Sequence, residues 1–232
     1  MNRVVGTARL HLVGRQNIVV PWAVLASALA VNLVVFAALQ AGDAVQETPF
    51  TGGLASLYVV MAAGFVQLMN KNLNFAVGLG LTRGTYLRGT ALFAVLLAFG
   101  SALALDVLLG VERATDGWGL QLGFFGLAGL VPDNPLVAVP AYAVPMLTCM
   151  ALGAFYGSIN HRWGMIGVYA SGLLAFLAGG LFTVVMTYAD AWGSLLGWFG
   201  RQPNTALLAG YPLIAVAVLS VAAFLVTRRA EV

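Results

Sequence analysis

The sequence predicts an all-α integral membrane protein. Six transmembrane helices are expected, preceded by an amphipathic interfacial helix, with short outer-leaflet helices before spans four and six. Composition, six long apolar runs and the placement of charges predict this fold. Of 232 residues, 61% are hydrophobic and 8% are charged, whereas soluble domains carry about 25% charged residues. A soluble fold of this length cannot bury so much apolar surface, so lipid is the expected solvent.

The interfacial helix is predicted at residues 1–16. Arg3, Thr7, His11 and Arg15 recur every four residues and therefore share one face of a helix. With Arg9, they give the segment a basic side suited to the inner membrane surface. The alternative is an ordinary basic flank that only sets the topology.

The spans follow from length. A transmembrane helix needs about 20 mostly apolar residues, and the apolar runs lack the two-residue alternation of barrel strands. We place the spans at about 18–41, 54–73, 90–110, 136–156, 165–188 and 205–227. No soluble domain interrupts them, so 1–232 is predicted to be a single transmembrane domain.

The charges predict the orientation. Placing both termini in the cytoplasm puts most basic residues in inner loops and most acidic residues in or beside outer loops. The predicted inner basic residues are Arg3, Arg9, Arg15, Lys71, Arg83, Arg88, Arg162, Arg228 and Arg229. The predicted outer acidic residues are Asp43, Glu47, Asp106, Glu112, Asp116, Asp133 and Asp190. Only Arg113, Arg201 and Glu231 run against this division.

Two outer segments, 111–135 and 191–204, are rich in aromatic residues and glycine. They are too short to span and too apolar for free loops, so we expect short helices dipping into the outer leaflet. Simple anchoring by tryptophan at the interface is the alternative. In the fourth predicted span, Gly153 and Gly157 form a small-xxx-small pattern, which allows helices to approach closely, either within one bundle or between two.

The residue types present disfavour several chemistries. The single lysine, Lys71, precedes Asn72, so the chain lacks the Gly-Lys-Ser/Thr of a P-loop. His11 and His161 are both expected at the cytoplasmic edge, which disfavours an intramembrane protease. The predicted spans hold no cluster of metal-ligating residues. We therefore predict no catalytic residue, metal or cofactor in this chain, and no nucleic-acid partner.

The most informative segment is the predicted cytoplasmic loop 74–88. It is too polar for the membrane core, yet Phe75, Val77, Leu79, Leu81 and Tyr86 would form a costly apolar patch in water. A partner protein could bury this patch. Thr82 can cap a short helix whose first turn holds Thr85, and Arg83 and Arg88 could meet an acidic partner surface.

This loop carries a family resemblance. The stretch Phe75-Ala-Val-Gly-Leu-Gly-Leu-Thr-Arg-Gly-Thr-Tyr-Leu-Arg-Gly-Thr90 resembles the loop after the second span of bacterial ABC transporter permeases of the exporter type. The six-span layout, the interfacial helix and the outer helix before span six are also similar to that family. Residues 9–12 and 51–56 look like actinobacterial members. Gly84 departs from the second basic residue that members commonly carry.

The resemblance implies a membrane-spanning permease subunit in the bacterial cytoplasmic membrane, exporting an amphipathic or hydrophobic substrate. ATP and Mg would be bound by separate ABC ATPase subunits, and a second copy or a paralogous permease would complete the path through the lipid bilayer. The expected ATPase-coupling residues are Phe75, Gly78, Leu81, Thr82, Arg83, Tyr86 and Arg88.

The alternatives are a stand-alone secondary transporter or channel, and a non-transporting scaffold or enzyme. For transport, polar groups inside spans would line the path, because such groups tend to face protein or water. The candidates are Asn32, Gln67, Asp106, Thr183 and Thr187. The competing interpretation, which we favour for the two threonines, is that they simply form hydrogen bonds between helices.

Overall fold

The computed structural model describes residues 3–42, 51–126, 131 and 134–228, and these are helical with no strand. The helices are α1 Arg3–Val13, α2 Gln16–Ala41, α3 Ala55–Gln67, α4 Leu73–Gly78, α5 Arg83–Ala114, α6 Pro135–Tyr188, α7 Trp192–Gly200 and α8 Tyr211–Arg228. Wider π-helical turns join α3 to α4 at Leu68–Asn72 and lead into α8 at Ala206–Gly210.

Within these residues, four helices are long and apolar enough to cross a membrane: Gln16–Ala41, Arg83–Ala114, Pro135–Tyr188 and Ala206–Arg228. The chain is therefore consistent with a membrane protein, as its composition predicts. At 54 residues, α6 is far longer than one crossing requires. Gly164 breaks it with φ 64° and ψ −160°, a backbone conformation that glycine adopts without steric cost. We call 135–163 the first arm and 165–188 the second arm.

The core lies where α3, α5 and the first arm of α6 meet. Its fully buried side chains include Leu57, Met61, Phe93, Ala98, Leu105, Phe124, Tyr142, Met146 and Met150. Around it, α1 packs on α5, α2 on α3, and α8 on α6. The second arm and α7 are mostly exposed, so their apolar side chains face outward, as lipid permits.

The first arm reaches α3 through the two glycines of the small-xxx-small pattern. A Cβ at Gly153 would overlap the carbonyl of Ala62, and one at Gly157 would lie 2.7 Å from Met69 Cβ and 2.8 Å from the Val66 carbonyl oxygen. In the structure, these glycines bring helices together within one bundle, which is one of the two alternatives that the sequence left open.

The two outer segments differ from each other. The expected helix at 191–204 is present as α7, Trp192–Gly200. The prediction of a helix before the fourth span is wrong for the described residues 117–126. Positive φ angles at Trp118 and Gln121 prevent a regular helix there. Residues 127–130 and 132–133 of that segment lie outside the described residues, as do the topology charges Asp43, Glu47, Arg229 and Glu231.

Candidate functional site

The candidate site is the connection between α3 and α5, residues 68–82. After the π-helical turn, α4 runs for six residues and ends in a tight turn. Gly80 has φ +79°, the left-handed region that favours glycine. The Leu81 amide donates to the Ala76 carbonyl at 3.1 Å, and the Gly80 amide donates to the Val77 carbonyl at 2.9 Å. These bonds give the connection a defined shape.

One face of this connection is anchored. Leu73 and Ala76 on α4 are buried in a small cluster with Met69 and Tyr86. The Tyr86 hydroxyl donates to the Leu68 carbonyl at 2.8 Å, which satisfies its polar tip inside an apolar contact. Tyr86 is 1% exposed, so its predicted contact with a partner is wrong. It fixes the start of α5 against the end of α3 instead.

The opposite face is open. Phe75 is 65% exposed and Leu79 is 60% exposed, while Gly78 between them is also exposed. Val77 and Leu81 are half-buried beneath this surface. We call Phe75, Gly78 and Leu79 the apolar knob. Because the anchored face is held by buried contacts, the knob is a fixed projection.

Thr82 begins α5 as predicted. Its backbone is extended, with ψ 147°, and its hydroxyl accepts a bond from the Thr85 amide at 3.2 Å. Such a cap satisfies one of the amides that a helix start leaves without a partner. The helix it begins is 32 residues long, longer than the short helix that the sequence suggested.

Arg83 is half-buried and points toward α8. Its guanidinium donates to the Thr227 carbonyl at 3.5 Å, in the last turn of α8, where a cation is favoured by the helix dipole. Thr227 in turn donates to the Ser158 hydroxyl at 3.1 Å. Arg83 therefore links α5 to α8. Its predicted role as a positive charge offered to an acidic partner stays a prediction.

The helix expected at residues 1–16 is present as α1, Arg3–Val13, but the predicted stripe of Arg3, Thr7, His11 and Arg15 is not an exposed face. Arg3, Arg9 and Arg15 are exposed, whereas His11 is 3% exposed. His11 was expected at a surface position, and the structure packs it against α5. Its ring lies 5.3 Å from both the Tyr86 and the Phe93 rings.

A hydrogen-bonded chain explains how a histidine is accommodated there. The Thr90 hydroxyl donates to the Tyr86 carbonyl at 3.0 Å, so it must accept from His11 Nε2 at 2.9 Å. Nearby, a Cβ at Gly89 would overlap Thr7 of α1. This close approach couples α1 to the first turns of α5, immediately behind the candidate site.

The docking of α1 should depend on pH. Burial lowers the pKa of His11 from 6.5 to about 4. As pH falls below 6.5, the unfolded state binds the proton first, so stability is lost between pH 6.5 and about 4 and is unaffected by His11 above pH 6.5. Thermal unfolding in detergent should show a Tm difference between the wild type and His11→Gln that changes across this window. A difference that stays constant from pH 8 to 4 would contradict the assignment.

The five residues predicted for a transport path are dispersed. Asn32 and Thr183 each donate to a carbonyl one turn back in their own helix, at 2.8 and 2.9 Å. Thr187 donates to the Thr183 carbonyl and accepts from the Trp192 indole at 3.0 Å. Gln67 lines a small cleft between α2 and α3, and Asp106 is half-buried on α5. The expected hydrogen bond between helices is present for Thr187, which accepts from Trp192 of α7, whereas Thr183, among the described residues, bonds only within its own helix.

Sequence reasoning missed Glu112, which it assigned to an outer loop. Glu112 is 5% exposed, and its carboxylate accepts from the Phe124 and Phe125 amides, both at 3.0 Å. The Tyr142 hydroxyl donates to the Phe125 carbonyl at 2.7 Å. The signal was present, since Glu112 continues the helical stripe of Leu105 and Leu109. The carboxylate fastens the outer segment onto the core.

Within the part of the chain that the structure describes, no group of three or more His, Cys, Asp or Glu side chains is placed to hold a metal ion. Protein-family models, curated proteins and solved structures yield no match to this chain.

Proposed function

We propose that this chain is the membrane-spanning permease subunit of an ATP-driven ABC exporter in a bacterial cytoplasmic membrane. It crosses the membrane six times with both termini in the cytoplasm, and a separate ATPase subunit supplies the energy. The substrate is an amphipathic or hydrophobic molecule. The observation that carries the proposal is the rigidly anchored apolar knob at the connection between α3 and α5.

The length of the helices supports six crossings. A straight helix of 54 residues measures about 80 Å, against a hydrocarbon core of about 30 Å. Two crossings joined at Gly164 account for the length and for the positive φ at that glycine. The helical stretch from Ala55 to Gly78 is also sufficient for one crossing, although a π-helical turn interrupts it.

The shape of the knob supports a protein partner. A mobile loop would move without transmitting force, whereas this connection is fixed by buried Leu73 and by the Tyr86 hydrogen bond. Displacement of the knob is therefore passed to α3 and α5 together. Rigid-body movement of helices in response to a partner is a known mode of switching. Exposed Lys71 adds positive charge beside the knob for an acidic partner surface.

The absence of a P-loop supports a separate ATPase. The chain has one lysine, and its sequence context does not match the phosphate-binding motif. Only one bundle is encoded, so a second copy or a paralogue is needed to enclose a path. A stand-alone transporter is less favoured, because its candidate path residues are dispersed and mostly bonded within their own helices.

The test is mild-detergent purification of the tagged protein from its native membranes, with mass spectrometry of the co-eluting proteins. We expect a stoichiometric P-loop ATPase, which an identically tagged, unrelated multi-pass protein should not retain. Elution of the folded protein alone would contradict the proposal. Substrate flux in liposomes without ATP would instead favour a stand-alone transporter.

A further inference from the structure

An apolar cavity of about 380 Å³ lies between α3, α5, α6 and α8. This volume falls within the usual range of small-molecule sites. Nearly all of its lining is hydrocarbon, including Leu87, Val95, Met150, Val216 and Phe224. Arg88 is the one charged residue in the lining. The cavity is therefore apolar along its length, with a single cation.

Arg88 shares with the exposed Arg3, Arg9 and Arg15 the lack of a side-chain partner among the described residues. Arg88 is set apart from them because it lines the apolar cavity. Arg83 bonds the Thr227 carbonyl, Arg162 stacks on Trp163 at 4.4 Å, and Arg201 donates to the Gly197 carbonyl at 2.9 Å. Arg88 makes no hydrogen bond or ion pair with any residue in the described ranges. A guanidinium stays charged at all physiological pH values and forms paired bonds with phosphate or carboxylate. Beside apolar walls, such a group favours an anionic ligand.

The cation lies at one end of the cavity. The lining residues on α5 run from Leu87 and Arg88 to Val95, and those on α8 run from Leu213 to Phe224. At 1.5 Å per residue, these stretches measure about 12 Å and about 16 Å. They match one leaflet, which is half of a hydrocarbon core of about 30 Å.

The expected depth of Arg88 in the membrane also fits the lipid–water interface. Gly89, the next residue, packs directly beneath Thr7 of α1, and the basic α1 helix is predicted to lie along the inner membrane surface. A headgroup bound to Arg88 would sit at that level, and its hydrocarbon chain would extend toward Leu213 and the middle of the bilayer.

We propose that this cavity binds one hydrocarbon chain of an anionic amphiphile, with the phosphate or carboxylate headgroup on Arg88. The ligand is either a membrane phospholipid or a free single-chain amphiphile, because both present the same chemistry. The site belongs to this chain alone and holds whether or not an ATPase partner is found. Arg88, predicted from the sequence as a coupling residue, is here a ligand-binding residue.

Native mass spectrometry of the full chain in maltoside detergent measures this binding directly. Dodecyl phosphate should bind as a single copy, and inorganic phosphate alone should not. Arg88→Gln should weaken dodecyl phosphate binding about tenfold or more, because it removes the charged partner. It should leave binding of uncharged dodecanol nearly unchanged, because dodecanol has no anionic group for the guanidinium to pair with. Arg9→Gln is the matched control, since Arg9 is an exposed arginine that does not line the cavity.

A second variant tests the cavity itself. Ala151 lines it, so Ala151→Phe should weaken both dodecyl ligands, with thermal unfolding used to confirm that the variant folds. Competition by phosphatidylglycerol identifies a membrane lipid as the natural occupant, and binding of dodecyl phosphate alone identifies a free amphiphile. Equal dodecyl phosphate affinity in Arg88→Gln and wild type overturns the proposal. A dimer that takes up no dodecyl phosphate also overturns the proposal, because it indicates that a second copy covers the cavity.

Discussion

Replacing Phe75 with glutamate should abolish both co-elution of the proposed ATPase subunit and stimulation of its activity by this chain. Phe75 is 65% exposed at the centre of the apolar knob, and aromatic residues in such positions dominate interface energies, often by 2 kcal/mol or more on truncation. Glutamate adds an unpaired charge that the interface would have to desolvate. We expect a loss of at least about thirtyfold in affinity.

The measurement is ATPase activity in proteoliposomes, alongside co-elution of the two subunits. Phe75→Ala should weaken both less severely than glutamate. Phe176→Ala is the matched control, because Phe176 is 76% exposed on the second arm, away from the knob. All variants should unfold at nearly the wild-type temperature, since neither side chain is in the core. Wild-type coupling in Phe75→Glu would exclude the apolar knob as the contact and would leave the basic residues as the remaining candidates.

Replacing Gly153 with valine should prevent the chain from folding stably. A Cβ at this position overlaps the Ala62 carbonyl of α3, which is backbone and cannot rotate away as a side chain can. Overpacking usually costs about 1–3 kcal/mol, and we expect the upper end or beyond because the first arm must separate from α3. The measurement is the yield of monodisperse protein in detergent and its Tm.

The control is Gly172→Val on the second arm, where a Cβ meets nothing within 4 Å. This variant should accumulate and unfold as the wild type does. Gly153→Ala should give an intermediate loss, since it introduces the overlap without the branched methyl groups. Equal stability of the two valine variants would mean that α3 and α6 are not in the close contact described.

Features that depend on local sequence were predicted well. The bounds of α2, the end of α8, the helix α7 and the Thr82 cap were all anticipated, because apolar length and capping chemistry act over a few residues. The turn around Trp118 was not, because the segment that follows its left-handed residues is held by Glu112 of the preceding helix, which accepts from the Phe124 and Phe125 amides. The number of crossings stays a prediction, since α6 is one helix broken at Gly164.

The sequence by itself determined that this protein is a set of apolar helices, because composition decides how a chain suits lipid. Only the tertiary structure decided which polar side chains pack against other parts of the chain. Tyr86, His11, Arg83 and Glu112 all looked like surface residues, yet each finds a partner in another element. Burial of a polar group is affordable only where a distant segment completes its hydrogen bond. That pairing is set by packing between helices, which the local pattern does not encode.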